Sequence, residues 1–175
     1  RGRTAVTVTL FTLDGTRMET DRVLEASADW QARSPAAQFS AVLPGENWPE
    51  ELCTVRWKDD SGFTLFEGYL DTAAQVLDSD GPRLEVTARS AGCYLLDNEA
   101  LPQSYDSVTL DSFCQRYLNS YGIFRRGFSY RGHIPYTVPK GQSEWEALAG
   151  FVYALTGKFP YLSREGELCL LPRDG

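Results

Sequence analysis

The sequence predicts an α+β protein: an antiparallel β-barrel or rolled sheet over residues 1–90, then a small unit of two helices and a β-hairpin over residues 91–175. Three observations lead there. Up to Ser90, short runs of alternating apolar and polar residues are separated by tight-turn signals, the pattern of half-buried strands. Beyond Ser90 the apolar spacing lengthens to the helical period. At Ser143-Glu144-Trp145-Glu146 a serine with glutamate three residues on forms a capping box, opening an apolar stripe.

The strands follow in order. Thr4 to Thr12 is rich in Val, Leu and Thr and reads as the first strand. Asp14-Gly15 is a hairpin signal, and a second strand is expected from Met18 through Ala28. Phe39, Ala41 and Leu43 keep a period of two in the third, which Pro44-Gly45 ends. Leu52 to Lys58 is the fourth, with Val55 and Trp57 on one face. Phe63 to Leu77 is long for one strand and changes phase near Gly68, which predicts a bulge or kink there. After the turn Asp78-Ser79-Asp80-Gly81-Pro82, the residues Leu84, Val86 and Ala88 complete about six strands. With so few residues between them, closure into a barrel or rolled sandwich is the economical arrangement.

In the second half, Tyr94 to Asp97 reads as a short helix or turn. Thr109 is an N-cap residue, with Asp111 placed to favour the helix dipole. Phe113, Cys114, Tyr117 and Leu118 form the buried face, and Gly122 closes the helix. Residues Phe124 to Tyr136 are rich in Arg, Gly and aromatics and predict an irregular loop. In the last helix Trp145, Leu148, Ala149, Val152 and Leu155 make the apolar stripe and Gly157 the C-terminal stop. A hairpin follows from Phe159 to Leu171.

Composition narrows the function. With 42% hydrophobic and 13% aromatic residues the chain is globular rather than disordered. Seventeen Lys and Arg stand against 24 Asp and Glu, and a net charge of −7 argues against nucleic-acid binding. Arg125, Arg126 and Arg131 are the one basic cluster, too small to reverse that. No apolar run reaches the roughly 18 residues of a membrane span, and no signal peptide is evident. The chain begins Arg-Gly-Arg without Met, as a fragment of a longer protein would. Cys53, Cys93, Cys114 and Cys169 are far apart and form no C-x-x-C pair, so buried free thiols are the default expectation and a disulfide between two of them is the alternative.

Catalytic, cofactor and metal residues are not expected. His133 is the one histidine and falls in an apparent loop; a catalytic triad or multi-histidine metal site demands far more around it. Asp59-Asp60 and Asp78/Asp80 sit in turns, where Asp suits the backbone anyway. There is no G-x-G-x-x-G, no Walker A lysine and no EF-hand loop. The aromatics admit two readings. Trp30, Trp48 or Tyr130 could stack sugars in a carbohydrate-binding module, or the rings could be core and interface residues. Phe124, Phe128 and Tyr130 are the candidate subunit-interface residues, because no period places them in a core. The alternative is a satellite cluster under their loop.

The order of the pieces carries a resemblance. A small barrel ends in Leu84-Glu85-Val86-Thr87-Ala88-Arg89-Ser90. Leu95-Leu96-Asp97-Asn98 follows, then the helix from Thr109 through Phe113, Tyr117 and Leu118 to Tyr121-Gly122-Ile123. The Lys140-Gly141 turn, the Ser143–Glu146 helix start and a hairpin come last. This order resembles the late-control-type baseplate hub proteins of contractile phage tails and related injection systems. The resemblance implies a non-catalytic structural protein of the virion tail, assembled in the bacterial cytoplasm. It implies partners in the tail tube and spike, a homotrimeric ring in the full-length protein, no cofactor, and neither nucleic-acid nor membrane binding. Such hubs carry a second barrel after the α+β unit, and this chain stops at Gly175 ahead of it. A tail-associated cell-wall hydrolase is the enzymatic alternative; it would need a concave site with two convergent titrating groups.

Overall fold

A computed structural model describes residues 6–45 and 47–172. Contacts divide them into two compact units. One runs to Trp30 and resumes over Ala37–Ser90; the other takes Gln31–Ala36 and everything from Ala91 on.

The first unit is one antiparallel sheet of seven strands: β1 (Val6–Thr12), β2 (Arg17–Thr20), β3 (Glu25–Asp29), β4 (Gln38–Pro44), β5 (Leu52–Asp59), β6 (Thr64–Asp78) and β7 (Gly81–Arg89). The order across it is β2-β1-β5-β6-β7-β4-β3. The single second strand expected over Met18–Ala28 is in fact two. They lie at opposite edges of the sheet, joined through residues 21–24. Five Cα steps reach at most about 18 Å, whereas seven flat strands would hold their edges about 29 Å apart. The sheet must therefore curl. The rings agree: Phe39 on β4 stacks on Phe66 of β6 at 4.8 Å and meets Trp57 of β5 at 5.7 Å, although three strand spacings separate β4 from β5. The roll does not close, because β2 and β3 do not pair, so the architecture is the rolled sheet and not a sealed barrel.

Alternation puts Val8, Leu10, Phe39, Ala41, Leu43, Val55, Phe66, Leu84, Val86 and Ala88 inside the roll. The expected bulge exists, but at Asp71: Leu70 pairs with Ala88 and Thr72 with Thr87, leaving Asp71 unpaired. Gly68 has a different role. A Cβ there would lie 2.3 Å from the Arg89 carbonyl oxygen, so only glycine lets β6 and β7 approach this closely. The turn aspartates hold the hairpins. Asp59 accepts from the Ser61 and Phe63 amides at 2.9 and 3.0 Å, and Asp78 from the Asp80 amide at 2.9 Å.

The second unit contains α1 (Cys93–Asp97), β8 (Gln103–Thr109), α2 (Leu110–Tyr117) running into a 3-10 turn (Asn119–Tyr121), β9 (Arg125–Arg126), β10 (His133–Val138), α3 (Glu144–Thr156), β11 (Pro160–Leu162) and β12 (Glu167–Leu170). The caps are those the sequence predicts. The Thr109 hydroxyl accepts from Ser112 N at 3.3 Å. Ser143 Oγ accepts from Glu146 N at 3.1 Å while the Glu146 carboxylate accepts from Ser143 N at 2.8 Å. Gly157 ends α3 with φ +72°. The stretch Phe124–Tyr136 is less irregular than expected. β9 pairs parallel to β12, and β10 pairs antiparallel to β8, carrying His133 on a strand rather than a loop. Two-residue pairing and an exposed ribbon leave little periodicity to read.

Phe113 of α2 stacks on Phe151 of α3 at 4.2 Å, and Tyr136 stands edge-on to both rings. Around them Leu95, Leu110, Tyr117, Leu118, Leu148, Val152 and Leu168 complete the core. Helix α3 buries Ala147 and Phe151 as well as Trp145, Leu148, Val152 and Leu155 of the predicted stripe, while Ala149 is only half-buried, because packing surrounds the helix on more than one face. Residues 31–36 belong here: Trp145 Nε1 donates to the Arg33 carbonyl at 3.2 Å, and the Arg33 guanidinium lies over the Phe159 ring at 4.9 Å.

Two substitutions test these assignments. Ser143→Ala is expected to destabilise the second unit by about 1 kcal/mol, the usual cost of a lost cap, read as a lower urea midpoint at constant m. Gly68→Ala is expected to cost about 2–4 kcal/mol, since a backbone carbonyl cannot yield as a side chain would; an unchanged melting temperature would show that β6 and β7 can part there without loss.

Candidate interface surfaces

The three residues singled out from sequence do not share one environment. Phe124 is buried in the second core, meeting the Tyr121 ring edge-on at 5.9 Å. Phe128 packs half-buried against the same core. Tyr130 is 45% exposed. Phe124 and Phe128 thus belong with the main core of the second unit. The sugar-stacking alternative asked whether Trp30, Trp48 and Tyr130 stand exposed together. Trp48 is buried, its indole donating to the Pro44 carbonyl at 2.8 Å, and Trp30 packs edge-on against Phe66 at 6.3 Å. Neither indole of the first unit thus stands free as a stacking surface.

An open groove runs beside α2, lined by Asp111, Gln115, Asn119, Ser120, Phe124 and Arg125. Arg126 pairs with Asp111 at its rim, so that cation and that carboxylate are already matched. Cys114 reaches the groove wall but is buried, and burial pushes its thiol up to about 11. A thiol so protonated at neutral pH is a poor nucleophile. Ser107 Oγ lies 2.9 Å from His133 Nδ1. Both side chains are exposed on the β8–β10 ribbon, outside the groove, where nothing shields a reaction from water. Asp14 is held down at about 2, first by the Thr12 hydroxyl and then by the Thr16 amide, and the Ser61 hydroxyl lowers Asp59. These carboxylates serve their turns.

One polar network ties α1 to α3. Asn98 Nδ2 donates to the Tyr121 hydroxyl at 2.7 Å, Tyr121 donates to the Glu144 carboxylate, and Glu144 N donates to the Asn98 carbonyl at 2.9 Å. Burial, with the Glu144 carboxylate second, raises Tyr121; burial also raises Tyr117 and Tyr136.

The outer face of the rolled sheet is a hydroxyl-rich surface. Ser27 and Ser40 meet at 3.1 Å across β3 and β4, Thr72 and Thr87 at 2.6 Å across β6 and β7, and Arg89 grips Asp71 with two bonds of 2.9 and 3.1 Å. Beyond the Asp71 bulge, β6 is exposed on both faces, a feature no sequence pattern announced.

The raised acids give a signed expectation. Their folded pKa values exceed the unfolded ones, so the stability they lend is complete below the unfolded value and lost as pH rises. For Cys114 that window is about pH 9 to 11. Urea melts should show the second unit weakening through it, and Cys114→Ala should flatten the decline; a midpoint constant from pH 8 to 11 would mean these groups titrate alike in both states.

No family model matches the chain, and no curated protein matches it. Solved structures do. A tail protein from Neisseria meningitidis MC58 aligns over 95% of this chain and 50% of its own, with TM-score 0.70 and 16% identity. The 43 kDa tail protein of prophage MuSo2 from Shewanella oneidensis aligns over 95% and 53%, with TM-score 0.70 and 14% identity. Prophage tail protein gp18 from Listeria monocytogenes EGD-e aligns over 97% and 51%, with TM-score 0.58 and 10% identity. The chain spans about half the length of each, and across that half it has the fold of these phage and prophage tail proteins.

Proposed function

We propose that the chain is a structural, non-catalytic component of a phage or prophage tail, a subunit of the baseplate hub that joins tail tube to spike. The observation that carries this is the match of both units, in sequence order, to about half of two tail proteins at TM-score 0.70. In this reading the intact protein forms a homotrimeric ring in the virion tail and contacts tube and spike proteins. It binds neither nucleic acid nor membrane.

Charge supports the role. Within residues 1–30 and 37–90 lie 15 Asp and Glu against 8 Lys and Arg, while the rest of the chain holds 9 of each. The excess negative charge thus resides in the sheet unit. A ring wall of that sign would let DNA pass without holding it. Among the described residues, no helix is long and apolar enough to cross a membrane. Of the three candidate interface aromatics, Tyr130 presents its ring for contact, while Phe124 and Phe128 support the loop beneath it.

Deleting the coding sequence from the producing strain and counting particles by electron microscopy tests the proposal. Tails without a complete baseplate are expected, with assembly restored by the wild-type chain and reduced by Tyr130→Asp. Infectious tails of normal appearance from the deletion would overturn the structural role, and turnover of peptidoglycan by the purified protein would overturn the non-catalytic one. Normal tails from Tyr130→Asp alone would remove only that residue from the interface.

A further inference from the structure

The groove beside α2 has an unpaired strand edge for its second wall. Strand β9 is the outer member of its three-stranded sheet and pairs only with β12. The Arg125 amide donates to the Gly166 carbonyl at 3.1 Å, and the Gly127 amide to the Leu168 carbonyl at 2.8 Å. Bonding groups alternate in direction along a strand, so the N–H and carbonyl of Arg126, between those two, point away from β12. Among the described residues no group bonds to either of them. No residue of β12 lines the groove, which therefore lies on this open side of β9, between it and α2. Asp111 and Gln115, four residues apart on one face of α2, form the opposite wall, and Asn119 extends it into the turn that follows. Phe124 and Cys114, both buried, close the floor. The space holds about 800 Å³, enough for a short stretch of extended chain.

We propose that this groove takes an extended acidic segment of another protein, which pairs with β9 as a further strand and sets a carboxylate against Arg125. The backbone of Arg126 defines the mode. An outward N–H and carbonyl on an open edge are what an added strand bonds to, and a groove beside them holds its side chains.

Charge selects the occupant. The lining carries Arg125 and Arg126 against Asp111, and Arg126 and Asp111 already neutralise each other. Arg125 is exposed, and among the described residues it makes no ion pair. The groove thus has one cation to spare on a chain of net charge −7. An acidic segment is repelled by most of this surface and drawn to this place, whereas a basic one would meet Arg125 on arrival. Such binding would hold whether or not the protein is a hub subunit.

Amide NMR and hydrogen exchange on the intact protein test this with two blocked heptapeptides. One is acetyl-Ser-Thr-Val-Glu-Val-Thr-Ser-amide; the other has lysine in place of glutamate. The glutamate peptide is expected to shift the amide signals of Gln115, Arg125 and Arg126 and to slow exchange at Arg126. The lysine peptide is expected to bind about fivefold more weakly, the range of one exposed ion pair. Arg125→Glu should invert that preference, which a variant that merely failed to fold would not do. An Arg126 amide already slow to exchange in the free protein would show the edge covered by the protein's own chain and overturn the proposal. Shifts that miss the groove would overturn it too. Equal affinity for the two peptides would overturn the acidic occupant.

Discussion

Four residues, Asp21 to Leu24, tie together the two edges of a seven-stranded sheet, and much of the first unit follows from that short tether. It is too short to cross a flat sheet, so the sheet rolls. Rolling turns one face inward and lets Phe39, Trp57 and Phe66, on strands that are not neighbours, meet in one core. A curl this tight needs relief in the backbone. Gly68 supplies it where β6 crosses the Arg89 carbonyl, and the unpaired Asp71 supplies it three residues later. Past that bulge β6 parts from β5 and continues along β7 alone, while β7 itself stays in the roll, paired with β4. The open edge is thus a product of the same constraint that builds the core.

The second unit is organised differently, around the stacked rings of Phe113 and Phe151. Each ring lies on a helix whose start is held by a side-chain cap, Thr109 for one and the Ser143–Glu146 pair for the other. Caps set where each helix begins, and so which residues face the partner helix. Tyr136 reaches that contact from the β8–β10 ribbon, close enough to the backbone of α3 that Gly150 leaves its hydroxyl room. The polar chain Asn98–Tyr121–Glu144 fixes the other end. Apolar stacking and a satisfied polar network together favour one arrangement of the elements.

Several of the acidic and thiol groups are engaged in structure. Asp14 and Asp59 hold turns, Asp71 holds Arg89, Asp111 holds Arg126, and Cys114 is kept protonated by burial. Groups committed to structure in this way are poor general acids or bases. The surface also carries an uncharged strand edge on β6 and a hydroxyl-rich sheet face.

Local signals carried a large part of the fold in the sequence. The Ser143–Glu146 capping box, the Thr109 cap, Gly157 as a stop, the turns at Asp59 and Asp78 and the alternation in β4, β5 and β7 all act within a few residues, so the chain declares them by itself. Pairing across long separations was not declared. That residues 18–28 divide between opposite edges, that Arg125–Arg126 pairs with β12, that residues 31–36 join the second unit, and that Phe124 and Phe128 enter a core while Tyr130 stays out each depend on a partner more than thirty residues away or on the curl of the sheet. The reach of a local rule is one turn or one pleat, about 5–7 Å. The open edge of β6 lies beyond that reach, because a strand's own residues do not say whether a neighbour will be there to cover it.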